Sequence, residues 1–464
     1  MRAAAVACAA LLTACAVPQI DRFMLQPERV RLEGPRGPLT RAQSEQILAQ
    51  LRARSPDSAV LERHIAVEEA LAGNRLTVGN KVTLLQDGAA TYRAMLAAIA
   101  AASSHVHMES YIFEADEVGR EFARALVERR KAGVEVRLVY DGVGSIGTPR
   151  EFFKEMSDQG VEVIEFNPLT PGAVLTHGLA IQRRNHRKLT VVDGRVAFLG
   201  GINISGVYTP GGLRVQRGGI GGSAGEGEGK PFDERPWRDT QVRIEGPVVD
   251  DFQRSFLKMW ARLKKEPVSE DKRYFPQLSS VGTHVVRAVE GSPDDGANAL
   301  YVTLISAIDN AESEVHITMA YFVPHQQLLA ALVDAAKRGV KVQLLLPSRT
   351  DNWMVLHAGR SYYDELLETG VKIFERKSRL LHAKTATIDG VWSTVGSTNL
   401  DWRSLVYNDE INAVVVGPEF ASQMNASFSK DLADSTEITL EAWRHRPWAD
   451  RLREITARAA AQAL

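Results

Sequence analysis

Two stretches of this chain are written to one pattern, half a protein apart. "HRKLTVVDGRVAFLGGIN" runs from His186 to Asn203, and "LHAKTATIDGVWSTVGSTN" runs from Leu381 to Asn399. His186 and His382, Lys188 and Lys384, Asp193 and Asp389, Gly200 and Gly396, and Asn203 and Asn399 all lie 196 positions apart. None of these residue types is needed to build a hydrophobic core. A pattern kept twice in register therefore argues for chemistry, and for two similar lobes. A solenoid is excluded, because its repeats would be far shorter.

The flanking sequence repeats as well. "HVHMESYIF", "VGREFARALVERRKAG" and "VEVRLVYD" read as strand, amphipathic helix and buried strand. "EVHITMAYFV", "HQQLLAALVDAAKRG" and "VKVQLLLPS" repeat them in the second half, and "GVEVIEF" at 160–166 is echoed by "GVKIFER" at 370–376. The expected fold class is α/β: two similar lobes, each a mainly parallel mixed sheet flanked by helices, related by a pseudo-twofold axis. The expected organisation is a signal peptide at 1–15, a tether and N-terminal helical segment at 16–75, a first lobe at 76–263, a linker at 264–282, a second lobe at 283–440 and a C-terminal helical tail at 441–464. A glycine-rich stretch at 209–231 interrupts the first lobe only and reads as a solvated surface insertion, with a lid over the site as the alternative.

In "HRKLTVV" the histidine and lysine stand two apart, which on a strand turns His186 and Lys188 to one face. Asp193-Gly194 then signals a hairpin. Gly200-Gly201 lets backbone approach a ligand, with Asn203 just beyond. The second lobe repeats these steps from His382 and Lys384 through Asp389-Gly390 and Gly396 to Asn399. Facing one another, the two sets would gather two imidazoles, two ammonium groups and two amides. That inventory suits a phosphodiester: Lys188, Lys384, Asn203 and Asn399 hold the phosphate, one histidine attacks phosphorus, and the other protonates the leaving alcohol. No metal or other cofactor is required by this chemistry. Each histidine needs an acceptor for its other nitrogen. Matching "RDTQVRIEGP" to "DEINAVVVGP" by their Gly-Pro ends nominates Asp239 and Glu410. Asp193 and Asp389 complete the catalytic motif, but their place at turns suits holding it together better than moving protons.

Composition narrows the partners. A net charge of −1 disfavours nucleic acid. Both cysteines, Cys8 and Cys15, fall in the first fifteen residues, so the folded body has no disulfide and no thiolate nucleophile. "MRAAAVACAALLTAC" is an apolar run too short to span a bilayer, and its end resembles a bacterial lipobox with Cys15 as the lipidated residue. Ala16 follows in place of an aspartate, so the expected location is the cell envelope, as a lipoprotein facing the periplasm, with the outer membrane favoured.

The duplicated motif resembles that of the phospholipase D superfamily. Within it, "GNKVTLLQDGAATYRAMLAAI", "HMESYIFEADEVGREFARAL", "FLGGINIS" and "STVGSTNLDWRSLVYNDE" are most similar to the bacterial cardiolipin synthases, of the type lacking N-terminal transmembrane helices. The resemblance covers most of residues 78–440 and implies the phospholipase D fold. It also implies transfer of a phosphatidyl group between phospholipids, usually two phosphatidylglycerols, with release of glycerol. By the same resemblance His186 is the nucleophile, forming a phosphohistidine, and His382 the acid and base. Phospholipid substrates and a membrane surface are then the expected partners. "RRNHRK" at 183–188 would draw anionic head groups, and "LTPGAVLTHGLAI" and Trp353–Leu356 could meet acyl chains or pack in the core. The competing readings are a phospholipase D that passes the phosphatidyl group to water, a phosphodiesterase or nuclease, and a non-catalytic lipid-binding scaffold.

Overall fold

The computed structural model describes residues 30–54, 58–70, 73–169, 182–210, 235–295 and 298–460. The leader with Cys15, nearly all of the glycine-rich stretch and all of the segment "LTPGAVLTHGLAI" but Leu169 lie outside the described residues.

The first lobe contains β1 (Thr77–Gln86), β2 (His105–Ser110), β3 (Glu135–Asp141), β4 (Glu162–Phe166), β5 (Leu189–Val192), β6 (Val196–Gly200) and β7 (Thr240–Glu245). They pair in the order β1–β7–β6–β5–β2–β3–β4. The second lobe has β8 (His284–Gly291), β9 (Glu314–Met319), β10 (Lys341–Pro347), β11 (Lys372–Arg376), β12 (Lys384–Ile388), β13 (Trp392–Gly396), β14 (Asn408–Val416) and β15 (Ser435–Ile438). Its order, β8–β14–β13–β12–β9–β10–β11–β15, is the same arrangement with one strand added. The parallel ladders with helical crossovers are β2–β3–β4 and β9–β10–β11, and a short parallel pairing also joins Arg184–Asn185 to the start of β14. The motif hairpins β5–β6 and β12–β13 bring the antiparallel ladders.

The crossover helix Glu117–Lys131 shows how the sequence sets an element. Asp116 caps it, accepting from the Gly119 amide, and Glu117 and Arg129–Lys131 match the helix dipole at its two ends. Phe122, Ala123 and Leu126 form its buried face. Gly133, with φ +89°, takes the chain out at a conformation that side chains disfavour.

One core spans both lobes. Phe252, Phe256 and Trp260, on one face of helix Val249–Lys264, pack with Leu189 and Val242 of the first lobe and with Val286, Val395 and Ile411 of the second. Burying each of those aromatic rings contributes roughly 2–3 kcal/mol. The N-terminal half of β1 also pairs with β8, so the two sheets are joined by backbone as well as by packing. Helices Arg41–Arg54 and Ser58–Ala70 extend the core of the second lobe with Leu48, Leu51, Leu61 and Ile65. No described helix is long and apolar enough to cross a membrane.

Candidate active site

Each motif enters the site from a short extended segment rather than from a full strand. β5 begins at Leu189, just past Lys188, and β12 begins at Lys384. What holds each histidine in place is the other lobe. The His186 amide donates to the Asp409 carbonyl at 2.9 Å, and the His382 amide donates to the Arg238 carbonyl at 2.8 Å. These are the same contact made twice about a pseudo-twofold axis.

The side chains cross in the same way. His186 Nδ1 lies 2.9 and 3.0 Å from the two carboxylate oxygens of Glu410. His382 Nδ1 lies 2.6 Å from Asp239 Oδ2. An ionised carboxylate only accepts, so in each ring Nδ1 carries the proton and Nε2 keeps its lone pair. Asp239 and Glu410, nominated from their matching strand ends, both stand beside a histidine, and in each case the histidine belongs to the opposite lobe. Lys188 Nζ donates to the His186 carbonyl at 2.7 Å, and Lys384 Nζ donates to the His382 carbonyl.

The four basic groups share one buried environment. Burial pushes the His186 imidazole down to about 4, with Lys188 and Lys384 adding to the shift and Glu410 opposing it. His382 is lowered too, first by burial and then by Lys384, with Lys188 also contributing. Burial lowers Lys384 to about 8 and takes Lys188 well below its ordinary value, against the pull of Glu410. Glu410 is raised by burial, but His186, Lys188 and the Ser397 hydroxyl outweigh that and leave it below the usual carboxylate range. Each half-site thus feels the charges of the other, as a single centre must.

The two carboxylates are supported differently. Glu410 accepts from the hydroxyls of Ser397 and Ser404 and from Asn408 Nδ2. The position matching Ser397 in the first lobe is Gly201, where an added Cβ would stand 2.2 Å from Asp239 Oδ1. The shorter aspartate draws the backbones together and leaves no room for a serine. Gly201 therefore admits a carboxylate of the protein itself, not the ligand expected from sequence.

The remaining motif residues divide. Asp193 and Asp389 do not reach the histidines. Asp193 accepts from the amides of Ser103, Ser104 and His105 at 2.8–2.9 Å. Asp389 does the same for Glu312, Ser313 and Glu314, and also accepts from His64 Nε2 at 3.0 Å. Both sit at positive φ, +53°, and tie the hairpin turn to the start of the neighbouring strand. Their inclusion with the catalytic groups is corrected by this geometry: each is committed to the backbone amides and serine hydroxyl beside its turn, and Asp389 to His64 as well. Asn203 Oδ1 accepts from the Ile112 amide, and its Nδ2 donates to the Tyr208 hydroxyl, which itself lies 3.3 Å from His382 Nδ1. Asn399 is buried, and its Oδ1 has no partner among the described residues.

The arginines of "RRNHRK" are another correction. Arg184 and Arg187 are buried, bonded to the Asn167 carbonyl and to Ser255, with Asp141 and Glu290 as counter-ions. Arg183 pairs with Asp294. Their charge is spent inside the protein. Trp353–Leu356 begin a helix in which Val355 is buried and the rest half-buried, so packing accounts for them.

Sequence reading missed several groups that shape the site. Tyr111 packs edge-on to His186 at 4.9 Å, and Trp237 lies 5.5 Å from His382. Tyr92 donates to the Asn203 and Ser205 carbonyls, and Tyr301 to those of Asn399 and Asp401, clamping both loops that follow the glycines. A signal for this pair exists, since "TYRAML" and "LYVTLI" set the two tyrosines 209 positions apart.

A family model described as cardiolipin synthase, phospholipase D-like domain, matches residues 95–209 and 304–432, one match per lobe. This chain belongs to that family. A cardiolipin synthase of Halalkalibacterium halodurans is 33% identical over 389 residues, covering 84% of this chain and 73% of the relative. A cardiolipin synthase of Listeria monocytogenes is 31% identical over 387 residues, covering 83% of this chain and 76% of the relative. Among solved structures, a phosphatidylserine synthase of Haemophilus influenzae superposes with a TM-score of 0.59 at 12% identity, over 82% of this chain and 95% of that one. A polyphosphate kinase of Porphyromonas gingivalis gives 0.51 at 12% identity, over 83% of this chain and 54% of that one. These two likenesses bear on the fold alone.

Proposed function

We propose that the crossed histidine–carboxylate pairs carry a two-step phosphatidyl transfer. As a member of the cardiolipin synthase family, the chain is a phosphatidyltransferase of the phospholipase D superfamily, acting on phospholipids. The observation that carries the mechanism is the Glu410 contact, which fixes the His186 proton on Nδ1 and leaves the Nε2 lone pair free. In the first step Nε2 attacks phosphorus, the bond to the head-group glycerol oxygen breaks, and that oxygen takes a proton from His382. In the second step the hydroxyl of another phosphatidylglycerol returns a proton to His382 as its oxygen attacks phosphorus. The P–N bond breaks and His186 is restored. The products are cardiolipin and glycerol. Proton transfer of this kind contributes about 10²–10⁴-fold in rate.

The protein's own groups push His382 toward its neutral form, and the anionic phosphodiester opposes that push, charging the acid when substrate binds. Lys188 and Lys384 neutralise the phosphate oxygens, and Asn203 and Asn399 add amide donors. Incubation with phosphatidylglycerol tests the reading. Cardiolipin plus equimolar glycerol is expected; phosphatidic acid would make water the acceptor, and degradation of plasmid DNA would make the protein a nuclease. Unchanged turnover in His186→Ala would remove catalysis from this centre.

The partner implied is a membrane surface and not nucleic acid, which fits the net charge of −1. The lipobox-like "LTAC" supports lipidation at Cys15 and an envelope location facing the periplasm. Mass spectrometry of the mature N-terminus should find a diacylated Cys15; an unprocessed Met1 would refute it.

A further inference from the structure

The last helix, Trp448–Ala460, is built unlike the other surface helices. Trp448 is 77% exposed, Leu452 52% and Ile455 65%. Spaced four and three apart, they fall within a sector of about 60° around the helix. The other large exposed apolar residues among those described, Ile146, Val268 and Val281, stand singly. Three neighbours on one helix face form a stripe, and a stripe of this size calls for a partner.

The opposite face is already occupied. Glu454 and Ala457 are buried, and Ala457 shares an apolar cluster with Val355 and Ala358 of helix Trp353–Arg360 and with Val323. Arg446 holds Glu454 through two nitrogens, fixing the helix against the body of the lobe. The stripe is therefore presented outward on a rigid support.

One flank is cationic: Arg451 and Arg458 lie along it, and Arg453 stands farther round the other side, all exposed. Arg451 donates to the Arg444 carbonyl and the Arg458 guanidinium lies over the Tyr362 ring at 4.4 Å, but neither forms an ion pair with a carboxylate among the described residues. Asp450 points away from the stripe on the helical wheel and pairs with Arg453. An apolar band edged by arginines whose stems can reach upward suits an interface where hydrocarbon lies beneath anionic head groups. A protein partner would need a matching acidic rim, and a second copy would set these arginines against their own kind.

We propose that helix Trp448–Ala460 seats the enzyme on an anionic bilayer, with Trp448, Leu452 and Ile455 in the acyl boundary and Arg451 and Arg458 at the head groups. The support of this helix is continuous with the active site. Tyr321, packed against the cluster that carries this helix, stands edge-on to His382 at 6.4 Å. This inference rests on the reading that the substrate is a phospholipid.

The test uses the full chain and a Leu452→Glu/Ile455→Glu variant, both positions being exposed, with thermal melting to check folding. Binding to vesicles of phosphatidylglycerol and phosphatidylcholine should fall at least ~tenfold in the variant. Binding of the wild type should also be weaker to phosphatidylcholine alone. Turnover of vesicle substrate should drop in parallel, while turnover of short-chain phosphatidylglycerol below its micellar concentration stays unchanged. On the unmodified protein, vesicles should protect Arg451 and Arg458 from trypsin. Unchanged vesicle binding in the variant, or no protection, would overturn the proposal. So would a wild-type dimer that the variant dissociates while vesicle binding persists. Wild type that binds vesicles through this helix but never turns over dispersed lipid would instead overturn the assigned chemistry and leave the inference standing.

Discussion

At the scale of single residues, the site is held at a cost in stability. Lys384 has its ammonium pushed down to about 8 by burial, from an ordinary value near 10.5. Below about 8 both folded and unfolded chains carry this proton, and the folded chain carries it at a penalty; above about 10.5 neither does, and the penalty is gone. Lys384→Met should therefore abolish transfer yet stabilise the fold by up to ~3 kcal/mol at neutral pH, an advantage that vanishes at high pH. Thermal melts across pH read this directly. His186 runs the same way at lower pH. Its folded-state value near 4 lies below the ordinary 6.5, so its stabilising effect is full above about 6.5 and is lost as pH falls through 4. Replacing His186 by Gln should flatten the melting curve in that window. The supports of the two carboxylates give a third test. Gly201→Ser forces an atom into Asp239 and should cut activity by ~10² or more through a displaced His382, whereas Ser397→Gly removes one of several donors to Glu410 and should cost far less.

At the scale of elements, the motif works as a braced hairpin. The Asp193 and Asp389 carboxylates each close three amides at the start of β2 or β9, fixing the hairpin against the parallel strands. Asp193→Ala should cost about 1–3 kcal/mol, since the Ser104 and His105 amides lose their acceptor while the exposed Ser103 amide turns to water. His64 adds a bond to Asp389 that Asp193 lacks. His64→Ala should thus lower the melting temperature without shifting the pH profile of transfer, which separates bracing from catalysis. This division between chemistry and bracing was only half legible. Turn residues could be recognised from Asp-Gly, and the helices and strands from their periodicity. The crossing of Asp239 to His382 and Glu410 to His186 could not, because strand-end matching gives equivalent positions and says nothing of which lobe faces which. The arginines of "RRNHRK" misled for a related reason: their counter-ions Asp141 and Glu290 come from strands distant in sequence. The offset between lobes also changes, from 209 at Tyr92 and Tyr301 to 196 at His186 and His382. The extra length in the first lobe falls between β4 and the motif.

At the scale of the molecule, the lobes are one folding unit and one catalyst. The core around Phe252, Phe256 and Trp260 is completed by residues of both, and β1 pairs with β8 across the junction. Each histidine is bonded through backbone and side chain to the opposite lobe. Neither lobe expressed alone should transfer a phosphatidyl group, and unfolding of the whole should follow a single transition. The most direct measurement is a rapid denaturing quench of the wild-type enzyme at alkaline pH during turnover of phosphatidylglycerol, with peptide mass spectrometry under the same alkaline conditions. The account predicts an acid-labile phosphatidyl adduct on the peptide bearing His186, absent from Glu410→Gln because the carboxylate that holds the His186 proton on Nδ1 is lost. Full turnover with neither histidine ever modified, or an adduct that forms equally well without Glu410, would contradict it.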